Sequence, residues 1–220
     1  MLEVKHLKFR YPQSSLFHQL SFSLEKGSSL SILGPSGSGK TTLFQLLTGV
    51  LSPEEGAISF EGEPLKTHKI TYMMQRDLLL PWKTLFENVM LFGQLGEGEV
   101  VCPEEAKRLL EKVGLLNACS LYPKQLSKGM KQRASLVRAL LRKKPLLFLD
   151  EAFSSVDFEC KEMLHELVLE EQVKQGFTLL VITHDPEEAY KLGKDVYLLS
   201  KGALHKAPSK EEFALFWRHI

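Results

Sequence analysis

Gly34-Pro35-Ser36-Gly37-Ser38-Gly39-Lys40-Thr41-Thr42 constrains this chain more than any other stretch. Glycine, four residues, glycine, lysine and a hydroxyl residue is the spacing of a loop that cradles nucleoside triphosphates. The glycines let backbone amides close on phosphate oxygens, Lys40 reaches the terminal phosphates, and the Thr41 hydroxyl suits a magnesium ion. Context separates this motif from a flexible glycine turn: Leu30, Ile32 and Leu33 read as a strand entering the loop, and Thr42 to Leu51 as a helix leaving it. The helix dipole contributes only about 0.3 to 2 kcal/mol toward an anion, whereas each hydrogen bond to a charged group is worth roughly 1.5 to 3 kcal/mol. The array of donors therefore carries the affinity.

A chain of 220 residues, 44% hydrophobic, has room for one well-buried domain with a lobe inserted into it. Lys and Arg number 28 against 27 Asp and Glu, so no overall basic charge favours nucleic acid. No apolar run reaches the roughly 18 residues that span a bilayer, and Met1 to His6 lacks the apolar core of a secretion signal, which leads us to expect a cytoplasmic protein. Cys102, Cys119 and Cys160 are odd in number and widely spaced, as expected of reduced thiols buried as small hydrophobes.

Beyond the loop, short apolar runs repeatedly stop at a polar group. Ile70 to Met74 ends at Gln75, Leu146 to Leu149 at Asp150 and Glu151, and Leu179 to Thr183 at His184. Such runs, separated by helical patterns, read as buried strands of a parallel sheet, whose ligands sit beyond the strands' carboxyl ends. Gly34, Gln75, Asp150, Glu151 and His184 are then expected along one edge, around one phosphate group. Singly, Asp150 reads equally as a helix cap, His184 as a turn residue and Gln75 as a solvated loop residue. Behind a phosphate loop, the joint pattern points to phosphoryl transfer, in which the protein places the metal, neutralises charge and orients water. Asp150 is assigned to the magnesium shell, Glu151 to polarising water, and His184 to the transferred phosphate.

The middle of the chain reads as a helical lobe, roughly Arg76 to Lys144. Ala106, Leu109, Leu110, Val113 and Leu116 form a helical stripe within Pro103 to Leu116, and Leu85 to Leu95 is also expected to be helical. Ser127 is suited to cap a helix running through Arg142 and stopped by Pro145. Asp195 to Ser200 reads as the last strand and Lys210 to Trp217 as a tail helix.

These residues resemble an ABC-type ATPase, the nucleotide-binding subunit of ABC transporters, over almost the entire chain. Gly34 to Thr42 is similar to the Walker A motif, Leu146 to Glu151 to Walker B with its catalytic glutamate, and Leu126 to Met130 to the family signature. Ser154 to Asp157 resembles the D-loop, His184 the switch histidine, and Gln75 the glutamine linking the active site to the permease. Tyr11 resembles the residue that stacks on adenine, although a tyrosine before Pro12 is also an ordinary edge residue and Phe9 is a nearby competitor. The implied fold is α/β: a P-loop, RecA-like core with a mainly parallel sheet, an N-terminal antiparallel β subdomain and the inserted helical lobe, 76–144, within one nucleotide-binding domain, 1–220.

The resemblance implies ATP and Mg2+, with Thr41, Gln75 and, through water, Asp150 around the metal. It implies that two copies sandwich two ATP molecules, Ser127, Lys128 and Gly129 of one touching the phosphate held by Lys40 of the other, with Asp157 at the seam. It further implies an integral membrane permease, an extracytoplasmic solute-binding protein and a place on the cytoplasmic side of the cell membrane. Lys128 and Met130 depart from the usual Leu-Ser-Gly-Gly-Gln signature. Lys128 opposes the helix dipole by a few tenths to about 1 kcal/mol unless a phosphate faces it, so it either tightens the ATP-bound dimer or points to solvent.

Gln75 to Trp82, followed by Glu87-Asn88-Val89, resembles the branch that energises uptake of nitrate, sulfonates, taurine and pyrimidine vitamin precursors. Leu78, Leu80, Pro81 and Trp82 suit a groove for a permease helix, Trp82 most of all, whereas core packing is the alternative for Leu79 and Leu80. Two rival readings are a soluble ABC ATPase acting on nucleic acid or ribosomes, and a regulatory ATP-binding protein of low turnover. The absence of tandem cassettes or a coiled-coil insertion weighs against the first, Glu151 and His184 against the second.

Overall fold

The computed structural model describes residues 1–94 and 101–217. In chain order the elements are β1 (Leu2–Tyr11), β2 (Ser14–Leu24), β3 (Ser29–Leu33), α1 (Lys40–Leu47), β4 (Glu55–Phe60), β5 (Glu63–Pro64), β6 (Ile70–Met73), α2 (Leu85–Val89), α3 (Leu91–Gln94), α4 (Pro103–Lys112), α5 (Lys128–Leu140), β7 (Leu146–Asp150), α6 (Phe158–Gln175), β8 (Thr178–Thr183), α7 (Pro186–Leu192), β9 (Asp195–Ser200), β10 (Ala203–Lys206) and α8 (Lys210–Trp217). They fall into two units, one of Met1–Lys69 with the chain from Thr178 onward, the other Ile70–Phe177.

In the first unit, β2, β1, β4 and β5 form an antiparallel sheet in that order. Alternation buries Leu2, Val4, Leu7 and Phe9 on β1 and Phe17, Leu20, Phe22 and Leu24 on β2, as a sheet with one covered face requires. This is the expected N-terminal β region. Strand β3 runs parallel to both β8 and β9, and β10 adds antiparallel to β9. Every residue of β3 and β8 is buried, as the unbroken run Leu179 to Ile182 of β8 implies, whereas β3 also buries the hydroxyls of Ser29 and Ser31.

In the second unit β6 and β7 pair in parallel, Tyr72 opposite Phe148 and Met73 opposite Leu149. Helices fill the chain between them. Thr84 begins α2 with a capping box, its hydroxyl accepting from Glu87 N–H while Glu87 accepts from Thr84 N–H. Asn88, fully buried, donates from Nδ2 to the carbonyls of Leu80, Lys83 and Thr84 and accepts from Leu80 N–H, fixing the turn that carries Trp82.

Several helix limits differ from the sequence expectation. Helix α1 starts at Lys40, not Thr42, and ends at Leu47 because Leu51 N–H folds back onto Gln45 C=O. Leu85–Val89 and Leu91–Gln94 replace one helix, and Leu95 lies outside the described residues. Helix α4 stops at Lys112, where Leu115 N–H turns back to Leu110 C=O, and α5 stops at Leu140 ahead of Lys143, whose φ is 47°. The strand Asp195–Ser200 and the tail helix fall where expected, but that strand is not the last: Lys201 and Gly202, both with positive φ, turn the chain back into β10.

Cys119 and Cys160 are half-buried, but Cys102 is exposed at the start of α4, where its thiol donates to Glu104, so it is not a core residue. Among the described residues no helix is long and apolar enough to cross a membrane.

Candidate functional site

The phosphate-loop residues lie in the first unit. Strand β3 delivers Gly34 to a place where an added Cβ would meet Leu199 O and Ser38 Oγ, both at 2.8 Å. Gly39 precedes α1 with a φ of 100°, a backbone conformation that side chains disfavour. No side chain caps this helix, so its start presents backbone amides rather than a protein oxygen. Lys40 is buried, and its ammonium donates to Gly34 O at 2.7 Å and Pro35 O at 2.9 Å. The loop thus arches over its own lysine, with the cation held beside the amide-lined bend.

Thr41 is exposed beside Lys40, while Thr42 is buried and shares a hydrogen bond with the Tyr11 hydroxyl at 3.1 Å. Tyr11 is 41% exposed and Phe9 only 8%, the two rings meeting edge to face at 5.0 Å. Of the two aromatic candidates, only Tyr11 offers an accessible ring. The β3–β8 register pairs Leu33 with Thr183, so Gly34 and His184 leave neighbouring strands at the same level. His184 is exposed, and the turn after it is fixed by Asp185, which donates its N–H to Thr183 Oγ1 and caps α7 by accepting from Glu187 and Glu188 N–H.

The second unit holds the carboxylates. Asp150 ends β7, 4% exposed, and its Oδ2 accepts from the Tyr72 hydroxyl at 2.7 Å. Burial, reinforced by the Asp150 charge and this bond, pushes the Tyr72 phenol far above its ordinary range, so it stays protonated. Extending the β6–β7 register by two residues sets Gln75 opposite Glu151, and Gln75 Nε2 donates to Glu151 Oε2 at 3.2 Å. Glu151 has a φ of 46°. For a residue other than glycine that left-handed backbone is strained, by about 1 to 2 kcal/mol.

Ser127 caps α5 as expected, its hydroxyl accepting from Met130 N–H at 3.2 Å. Lys128 is exposed at the first helical position and lines a cavity of about 400 Å3 with Gln75, Arg76, Asp77, Leu78 and Gln132. An added Cβ on Gly129 would lie 3.7 Å from Ser155 O, an ordinary contact. Gln132 Oε1 accepts from Ser155 N–H at 3.2 Å, joining α5 to the segment before α6. Asp157 caps α6 through Cys160 N–H at 3.0 Å, a bond that holds its carboxyl below the usual range. Trp82 is 71% exposed.

Sequence reasoning missed Tyr72 and Gln132, whose partners lie 78 and 23 residues away; neither carries a local motif. The donors assigned to a metal, the Thr41 hydroxyl, the Asp150 carboxylate and the Gln75 amide oxygen, are hard oxygen groups of the kind Mg2+ prefers. Gln75 donates through its nitrogen to Glu151, a bond that does not use its amide oxygen. In donor chemistry these groups suit the ion.

A strand-to-helix phosphate loop, paired carboxylates after a buried strand and a serine-capped helix define a P-loop ATPase. A family model described as ABC transporter matches residues 17–154, and the chain belongs to that family. It is 39% identical to the formylaminopyrimidine import ATP-binding protein ThiZ of Halalkalibacterium halodurans, over 93% of this chain and 82% of that protein. It is 36% identical to the taurine import ATP-binding protein TauB of Shigella flexneri, over 92% of this chain and 80% of that protein. The dimeric structure of a bacterial ABC transporter cassette superposes with a TM-score of 0.81 at 25% identity, covering 95% of this chain and all of the other.

Proposed function

We propose that this chain is the ATP-hydrolysing subunit that energises import of a small solute, of the taurine, sulfonate, nitrate or pyrimidine-precursor class, through an integral membrane permease. One observation carries the reading: the buried Lys40 ammonium is drawn over an uncapped helix start, a cationic, amide-lined cradle with no other evident purpose.

Backbone amides of Gly34, Ser36, Gly37, Ser38, Gly39, Lys40, Thr41 and Thr42 enclose the phosphates, Pro35, which has no N–H, shapes the bend, and Tyr11 offers its exposed ring to the base. Lys40 neutralises charge on the terminal phosphates. Mg2+, when bound, screens the phosphate charge, with Thr41, Gln75 and, through water, Asp150 as its protein partners. Glu151 accepts the proton of the attacking water while Gln75 steadies its carboxylate, and His184 donates to the terminal phosphate. Ser127, Lys128 and Gly129 complete the site of a second copy, with Asp157 at the seam, so nucleotide occupancy draws two copies together. Trp82, held outward by the Asn88 turn, contacts the permease on the cytoplasmic side of the membrane, and an extracytoplasmic solute-binding protein delivers cargo. The whole chain acts as one nucleotide-binding domain with a helical lobe over 76–144.

Glu151→Gln tests the assignment. In the permease complex its ATPase rate is expected to fall by about 10²- to 10⁴-fold while ATP affinity is retained. Retained turnover in that variant, or undiminished turnover driven by DNA or ribosomes and not by a permease, would overturn it.

A further inference from the structure

We propose that Tyr72 is a positioning residue for the hydrolytic metal, fixing the Asp150 carboxylate from the strand that leads toward Gln75. The proposal rests on the reading of Asp150 as part of the magnesium shell.

Tyr72 lies on β6 opposite Phe148 of β7, and Asp150 is two residues further along β7. Side chains two apart on a strand share a face, so Tyr72, Phe148 and Asp150 stand together, and a tyrosine is long enough to reach its diagonal neighbour. The hydroxyl donates to Asp150 Oδ2 at 2.7 Å. A buried carboxylate without such a donor pays a desolvation cost and turns freely about its terminal bond. The phenol supplies one such donor and engages Oδ2, which constrains the direction of the other oxygen.

The second link lies three residues along. Gln75 donates to Glu151 as Tyr72 donates to Asp150, so β6 and the segment that follows it hold both consecutive carboxylates, one from the strand and one from just past its end. This stretch therefore sets the orientation of the metal-shell acid as well as the water-activating one. A displacement of that segment by a partner would reach both.

The test is Tyr72→Phe, which keeps the ring and removes only the hydroxyl. Mn2+ binding to the ATP-loaded full chain, followed by electron paramagnetic resonance, is measured for the unmodified chain, Tyr72→Phe, Asp150→Asn and the double variant. Loss of a hydrogen bond to a charged group leads us to expect roughly ten-fold weaker metal binding in Tyr72→Phe, with metal-free ATP affinity unchanged. In the Asp150→Asn background the same change is expected to do little, since the hydroxyl acts through that carboxylate. A Tyr72→Phe effect below two-fold, beside a large Asp150→Asn effect, overturns the role of Tyr72 alone. Equal losses from Tyr72→Phe in both backgrounds would mark a general effect on the fold and also overturn it. An Asp150→Asn variant that binds metal normally sinks the reading of Asp150 and this proposal with it.

Discussion

The demands on single residues are sharpest in the phosphate loop, where two glycines are required for different reasons. Gly34 has no unusual backbone angle; its constraint is a main-chain oxygen, Leu199 O, 2.8 Å from where a methyl would sit. Gly39 is constrained by its φ of 100°, and the nearest obstacle is the end of the Leu16 side chain at 3.0 Å, which can swing aside. Gly39→Ala is expected to cost about 1 to 3 kcal/mol, mainly in backbone strain. Gly34→Ala is expected to cost more, because a backbone oxygen yields only by moving β9. Urea midpoints of the two variants compare them directly. Both requirements are foreshadowed in the spacing of the motif, whereas the Tyr72–Asp150 bond is not: a single sequence carries no sign that residues 78 apart share a sheet face.

Among the elements, α4 and α6 are joined by charge. Arg108 pairs with Glu171 at 2.6 Å, Lys112 with Glu170, and Glu105 accepts from both Lys174 and Lys143. Burial alone would raise the Glu171 carboxyl, but bonds from Arg108 and Gln175 and the charges of Arg108 and Lys174 outweigh it, and the group sits below the usual range. A carboxyl depressed in the folded state stabilises fully above its unfolded value, near 4.3, and the benefit fades as pH falls through the lower folded value. Unfolding midpoints are therefore expected to hold steady from pH 7 to about 5 and to drop below that. Glu171→Gln is expected to lose about 1 to 2 kcal/mol at pH 7, the Arg108 end being partly solvated, and to flatten the acid limb. Denaturant titrations across pH decide both points. Helix identities, as distinct from ionic contacts, were legible: the stripe from Ala106 to Leu110 and the Ser127 cap each mark a real helix. Their far ends were harder to read, since reversals such as Leu115 N–H onto Leu110 C=O depend on backbone turns that many residues permit.

At the scale of the molecule, the proposed assembly depends on a helix start that serves a second copy. Gly129 has room for a methyl within its own chain, so Gly129→Ala is expected to fold normally. In a Glu151→Gln background with Mg2+ and ATP, sedimentation should nevertheless show dimerisation weakened by about ten-fold or more, because the added group enters the space reserved for the partner's phosphate. Unaltered association would mean that α5 does not face the second nucleotide. The general layout was available from sequence because phosphate loops, buried strands and capped helices are local patterns; which carboxylate is tethered to which donor was not. Glu151 occupies a backbone geometry more comfortable for glycine, at the position proposed to take the proton of the attacking water. Relaxation there and turnover pull in opposite directions, so drift toward a sturdier protein at this position leads to one that grips its fuel and never burns it.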